Sequence, residues 1–125
     1  MEQDDILAGL RVLVVEDEAL IGLLLEDMIT ELGAAFVGPC ASLASALAAA
    51  QEDNFDVALV DMNLGGERAD EVGRLLSQLG IPFALSSGDA AATVDLGQAT
   101  VLQKPFSFDD VSSALRRLSH AAGLS

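Results

Sequence analysis

The chain has 125 residues, and 20 Asp and Glu against 6 Lys and Arg set a formal net charge of −14 with its one His neutral. Hydrophobic residues make up 51% of it, enough to offset ordering entropy by burial, which argues against a disordered acidic tail. A pI near 4.1 argues against a nucleic-acid partner and against anionic membrane surfaces, because both are bound chiefly through Lys and Arg.

The length predicts one domain over residues 1–125 with its core at about 10–120. Arg11 to Val15 is a short β-branched run, and apolar residues then fall at Ile21, Leu24, Leu25, Met28 and Leu32 among Glu26, Asp27, Thr30 and Glu31. That pattern predicts a strand and an amphipathic helix closed by Gly33. Ala35 to Val37 reads as a second strand ended by Gly38 and Pro39, and Ser42 caps a helix to about Gln51 that packs Leu43 and Leu47. The uncharged stretch from Leu32 to Gln51 approaches a membrane span in length, but Gly33, Gly38 and Pro39 break it, so no membrane insertion is expected. Val57 to Val60 is apolar at every position, as a strand buried on both faces requires. After Gly65 and Gly66 comes a helix with Ala69, Val72, Leu76 and Leu79 on one face, stopped by Gly80. Phe83 to Ser86 and Thr100 to Gln103 read as strands four and five. Ser107 caps a last helix that buries Phe108, Val111, Leu115 and Leu118. Five strands alternating with helices predict an α/β fold: a doubly wound five-stranded parallel sheet in the flavodoxin-like order 2-1-3-4-5, with helices on both faces. The fourth helix, between Gly88 and Thr100, is expected to be short or irregular.

Cys40 is the lone cysteine, so no intramolecular disulfide and no Cys-based zinc site can form. With an acidic stretch from Met1 to Asp5 where a secretory signal would be basic, a cytoplasmic location is expected.

Ligands of open parallel sheets bind beyond the carboxyl ends of the strands. There the first strand runs into Glu16, Asp17 and Glu18, the third into Asp61, the fourth into Ser86 and Ser87, and the fifth into Lys104 and Pro105. Carboxylates converging at such an edge repel one another unless they bind protons or a cation. A hard divalent ion, Mg2+, suits one or two carboxylates, a carbonyl and waters. A carboxylate beside that ion, a lysine and a serine hydroxyl can attack phosphorus and form an aspartyl phosphate. Asp61, central in the sheet, is the expected nucleophile. Glu18 reads as a helix start suited to the dipole, and His120 as a cation in a last turn. Phe106 and Phe108 read as core. Asp53, Asp70, Asp95, Asp109 and Asp110 read as solvated surface.

These residues stand in four motifs: LVVEDE from Leu13 to Glu18, VDMNLGG from Val60 to Gly66, LSSG from Leu85 to Gly88, and KPF from Lys104 to Phe106. In this order at these strand ends they resemble the bacterial two-component response-regulator receiver domain, over about residues 10–120. The resemblance implies that Asp61 accepts phosphate from a histidine kinase or phosphotransfer protein. It implies that Glu16 and Asp17 hold Mg2+, with Asp17 the direct ligand, alongside Asp61 and the backbone carbonyl of Asn63. Lys104 is expected to pair with the phosphoryl oxygens and Ser87, followed by the small Gly88, to turn toward them. Asn63 and Asp89 occupy positions that modulate phosphoryl lifetime, and both can reach a water, so a short lifetime is expected. A cis peptide before Pro105 is expected on the same ground.

Two departures stand out. Val101 occupies the switch position three before the lysine, where the family usually has an aromatic residue. The stretch from Ser87 to Lys104 is also shorter than most receivers use. Together with the run from Gly80 to Gly88, these features are similar to a short subset of receivers associated with HWE-type histidine kinases. The resemblance implies a stand-alone regulator, not an enzyme beyond its own phosphorylation and dephosphorylation, signalling by protein contact or acting as a phosphate sink or relay. The alternatives are a pseudo-receiver without phosphotransfer and a small Asp-nucleophile phosphohydrolase. The hydrolase reading is weakened by Asp61 following the third strand without a DxD pair. A flavodoxin-like cofactor binder would need a phosphate-cradling loop where Glu16, Asp17 and Glu18 stand.

Overall fold

Runs of Val, Leu and Ala too short for helices become the strands of a sheet buried on both faces. In the computed structural model, which describes residues 7–64, 67–87, 100–103 and 105–123, these are β1 (Arg11–Val15), β2 (Ala35–Cys40), β3 (Val57–Asp61), β6 (Phe83–Ser87) and β7 (Thr100–Gln103). They pair in parallel in the order β2-β1-β3-β6-β7, which is the expected 2-1-3-4-5 arrangement. Helices α1 (Ala19–Glu31), α2 (Leu43–Ala50), α3 (Asp70–Gln78) and α4 (Phe108–Ala121) cover it.

Alternation along each strand divides the core. Val12, Val14, Leu59, Ala84 and Leu102 face α1 and α4, where they pack with Leu25, Ile29, Val111 and Leu115. Leu13, Val15, Val60 and Leu85 face α2 and α3, where they meet Ala46, Ala50, Val72 and Leu76. Caps form where the sequence places them. Ser42 Oγ accepts from the Ser45 N–H at 3.1 Å, and Ser107 Oγ accepts from the Asp110 N–H at 3.1 Å while Asp110 Oδ2 accepts from the Ser107 N–H at 2.8 Å. No helix among the described residues is long and apolar enough to cross a membrane.

Several expectations need correction. β2 does not stop before Gly38 but runs through Pro39 to Cys40. It is an edge strand, where a proline costs no ladder bond, and its register with β1 shifts between Leu13 and Val15. Leu79 is 49% and Phe108 37% exposed: the first ends its helix and the second begins one, so neither reaches the core. Leu24 is likewise exposed, with Leu20 and Leu23 beside it. The sequence reading also passed over a small antiparallel hairpin, β4 (Asn63–Leu64) with β5 (Glu67–Arg68). The segment expected to hold the fourth helix lies outside the described residues.

At the amino ends of the strands, Arg11 clamps Asp56. Its Nη2 lies 2.9 Å from Asp56 Oδ1 and its Nε 3.2 Å from Oδ2, while its backbone N–H donates to Oδ2 at 2.9 Å. The hydrogen bond from the guanidinium holds the Asp56 carboxyl below the usual carboxylate range. A folded value lowered in this way contributes stability above the unfolded carboxyl's titration range, and that contribution is lost as pH falls through the folded value. The pair is solvent-accessible, so its effect is small. Denaturation midpoints of the native protein and Asp56→Asn are expected to differ at pH 7 and to converge on acidification below about pH 4. A gap that stays constant across that range would contradict the assignment.

Candidate functional site

The carboxyl ends of β1 and β3 bring three acids together. One oxygen from each of Glu16, Asp17 and Asp61 lies within 4.8 Å of the others. The ladder accounts for this: Val15 pairs with Val60, so the next residues, Glu16 and Asp61, stand side by side. Glu16 is 3% and Asp61 4% exposed, whereas Asp17 is half-buried.

Backbone donors orient these groups. Glu16 Oε2 accepts from the Glu18 N–H at 3.2 Å, and Asp61 Oδ1 accepts from the Asn63 N–H at 3.1 Å. The Glu16 N–H in turn donates to the Cys40 carbonyl at 2.9 Å, which ties the site to the edge strand. Burial pushes the Cys40 thiol up, so it stays protonated at neutral pH and is a poor nucleophile. The turn after Asp61 is held from two sides: the Met62 N–H donates to the Ser86 carbonyl at 3.0 Å, and the Met62 carbonyl accepts from the Ala69 N–H at 2.9 Å. The β4–β5 hairpin follows at once, so Asn63 belongs to a paired strand and not to an open loop.

The donor set suits a hard cation. All three side chains offer oxygen, and a six-coordinate Mg2+ with bonds of about 2.0–2.1 Å needs its oxygens about 3–4 Å apart. Separations within the 4.8 Å limit are compatible with that spacing.

Of the remaining expected site residues, Ser87 ends β6 and Val101 lies in β7, but their side chains fall outside the described residues. So do Lys104, with its bond to Pro105, and Asp89. Ser86, which could have been a polar loop residue, is instead a strand residue paired with Asp61 and 5% exposed.

Residues 12–116 match the response regulator receiver domain family. The chain is 34% identical over 119 residues to the transcriptional regulatory protein TcrA of Mycobacterium tuberculosis, covering 90% of this chain and 47% of that protein. It therefore spans about half the length of this curated relative. Among solved structures, SdrG from Sphingomonas melonis Fr1 superposes with a TM-score of 0.77 at 39% identity, covering 88% of this chain and 96% of that one. The PhyR response regulator REC domain of Erythrobacter litoralis shares the fold, with a TM-score of 0.76 at 23% identity over 89% of this chain and 90% of that one. Four ordered motifs, the parallel sheet and the acidic cluster at its carboxyl edge thus agree with these matches: the chain belongs to the response regulator receiver domain family.

Proposed function

We propose that this receiver domain accepts a phosphoryl group on Asp61 in a magnesium-dependent reaction, from a histidine kinase or a histidine-containing phosphotransfer protein. It then signals by contact with another protein or relays the phosphoryl group. The observation that carries this reading is the convergence of Glu16, Asp17 and Asp61 within 4.8 Å at the carboxyl ends of adjacent strands.

Asp61 is the nucleophile. Its rotation is fixed before attack by the Asn63 N–H on Oδ1, so orientation is supplied by the fold and not by the donor. A carboxylate oxygen bonds to phosphorus as the phosphorus–nitrogen bond of the phosphohistidine breaks, and the imidazole leaves with the electron pair. Asp17, with Glu16 and the Asn63 carbonyl, would hold Mg2+ against Asp61. The ion, when bound, neutralises charge on the transferred oxygens. Lys104 is assigned to pair with those oxygens and Ser87 to turn toward them after transfer. The exposed Asn63 side chain and Asp89 are assigned to place the water that later hydrolyses the acyl phosphate, keeping its lifetime short.

Incubation with acetyl phosphate and Mg2+, followed by intact mass, tests the reading. One added phosphoryl group is expected in the native protein, and none in Asp61→Asn or in the presence of chelator. A native protein that takes up no phosphoryl group would instead be an interaction module without this chemistry. Continuous turnover of varied phosphate esters would point to a hydrolase.

A further inference from the structure

The buried polar residues of the described chain are Glu16, Asp61, Ser86 and Ser119, and the first three form a row. Asp61 pairs with Ser86 across β3 and β6, and Glu16 follows the Val15–Val60 pair on the other side. Alternation sets all three on the α1/α4 face, the face of Val14, Leu59 and Ala84 two residues earlier on each strand. Neighbouring members are therefore about 4.8 Å apart along the backbone. Ser86 Oγ is shut from solvent and has no hydrogen-bond partner among the described residues. Ser119 Oγ is also unpartnered, but it lies in a helix, where rotation toward the carbonyl four residues back offers a bond. A strand offers Ser86 no such carbonyl, and burying an unpaired hydroxyl is unfavourable.

We propose that Ser86 is a second hydroxyl ligand of the phosphoryl group: its O–H donates to an oxygen of phosphorus once that group is on Asp61. The proposal rests on Asp61 being the phosphoacceptor. Asp61 and Ser86 stand at one level on one face without a hydrogen bond between them, and a phosphoryl oxygen lies two bonds beyond the carboxylate, where it can close that gap. Ser86 Oγ, unpartnered among the described residues of the unphosphorylated protein, thereby gains a hydrogen bond on phosphorylation. This contact is separate from the role assigned to Ser87, the next residue of β6.

The test compares the native protein, Ser86→Ala and Ser86→Cys, the last keeping the size with a weaker donor. Binding of beryllofluoride, a non-covalent phosphoryl mimic, is followed by 19F NMR with Mg2+ present, and melting is followed in its absence. Ser86→Ala is expected to bind beryllofluoride about tenfold more weakly, the worth of one charge-assisted hydrogen bond. It should melt no lower than the native protein, since it removes an unsatisfied group, and Ser86→Cys should bind with intermediate affinity. A structural role alone would lower melting and binding together. Native-like affinity in Ser86→Ala, or a loss of affinity matched by a loss of stability, overturns the proposal. If the native protein itself binds no beryllofluoride, or binds it equally in Asp61→Asn, the reading of Asp61 fails and this inference with it.

Discussion

Asp61→Asn is expected to melt several degrees above the native protein in chelator, and to lose the stabilisation that the native protein gains from Mg2+. The native site holds three carboxylates within 4.8 Å, two of them buried. Two unit charges at such a distance repel by about 1–3 kcal/mol at the effective dielectric of a protein edge. Asparagine keeps the shape and the acceptor for the Asn63 N–H, so the substitution removes charge without opening a cavity. For a domain of this size, about 1–2 kcal/mol corresponds to a shift of several degrees. A cation that binds the folded state stabilises it by mass action, and Asp61→Asn removes one of the carboxylates proposed to hold it. Thermal melts of both proteins in chelator and in millimolar Mg2+ check this. Identical Mg2+ responses would remove Asp61 from the metal site, and a lower melting point in chelator would show that the three charges are not in net repulsion.

The largest expected loss of stability away from the core comes from Gly38. Its φ is +115°, a conformation that L side chains rarely adopt, and a Cβ there would meet the Val14 carbonyl oxygen at 2.9 Å and the Cys40 nitrogen at 3.1 Å. Both are backbone atoms of paired strands and cannot rotate away. Gly38→Ala is expected to cost about 2–4 kcal/mol, the sum of left-handed strain and the clash. Gly80 is the control: its φ is +75° but nothing lies within 4 Å of a Cβ, so Gly80→Ala should cost about 1 kcal/mol. Because Cys40 accepts from the Glu16 N–H at 2.9 Å, displacement of β2 at Gly38 also disturbs Glu16. Urea denaturation of the two variants separates the effects, and equal costs would show that the close approach to Val14 carries no weight.

The strands and their order were legible because runs such as Val57 to Val60 are apolar at every position and alternate with helical stripes of a different period. The acidic site was legible for a related reason: Glu16 and Asp61 each directly follow an apolar run, so topology alone brings the two side by side. What escaped depends on pairing that no single segment displays. β2 continues through Pro39 because it lies at an edge, which is a property of the sheet and not of the segment. The β4–β5 hairpin did carry a signal, the Gly65–Gly66 pair between Asn63–Leu64 and Glu67–Arg68, but such a pair equally suits the loop before a helix. Leu79 and Phe108 continue a helical stripe in sequence, yet they sit at helix ends where the stripe runs past the sheet. Ser86 was passed over in favour of Ser87, which the small Gly88 follows, because the pairing of Ser86 with Asp61 is a property of the sheet register and not of the segment.

Reductive mapping of the phosphorylated protein tests the central assignment most directly. Borohydride converts a phosphorylated aspartate to homoserine, which tandem mass spectrometry locates after proteolysis. After treatment with acetyl phosphate and Mg2+, homoserine is expected at position 61 and at no other acidic position. Homoserine at Asp17, or a phosphoryl group carried without any conversion at Asp61, would contradict the account.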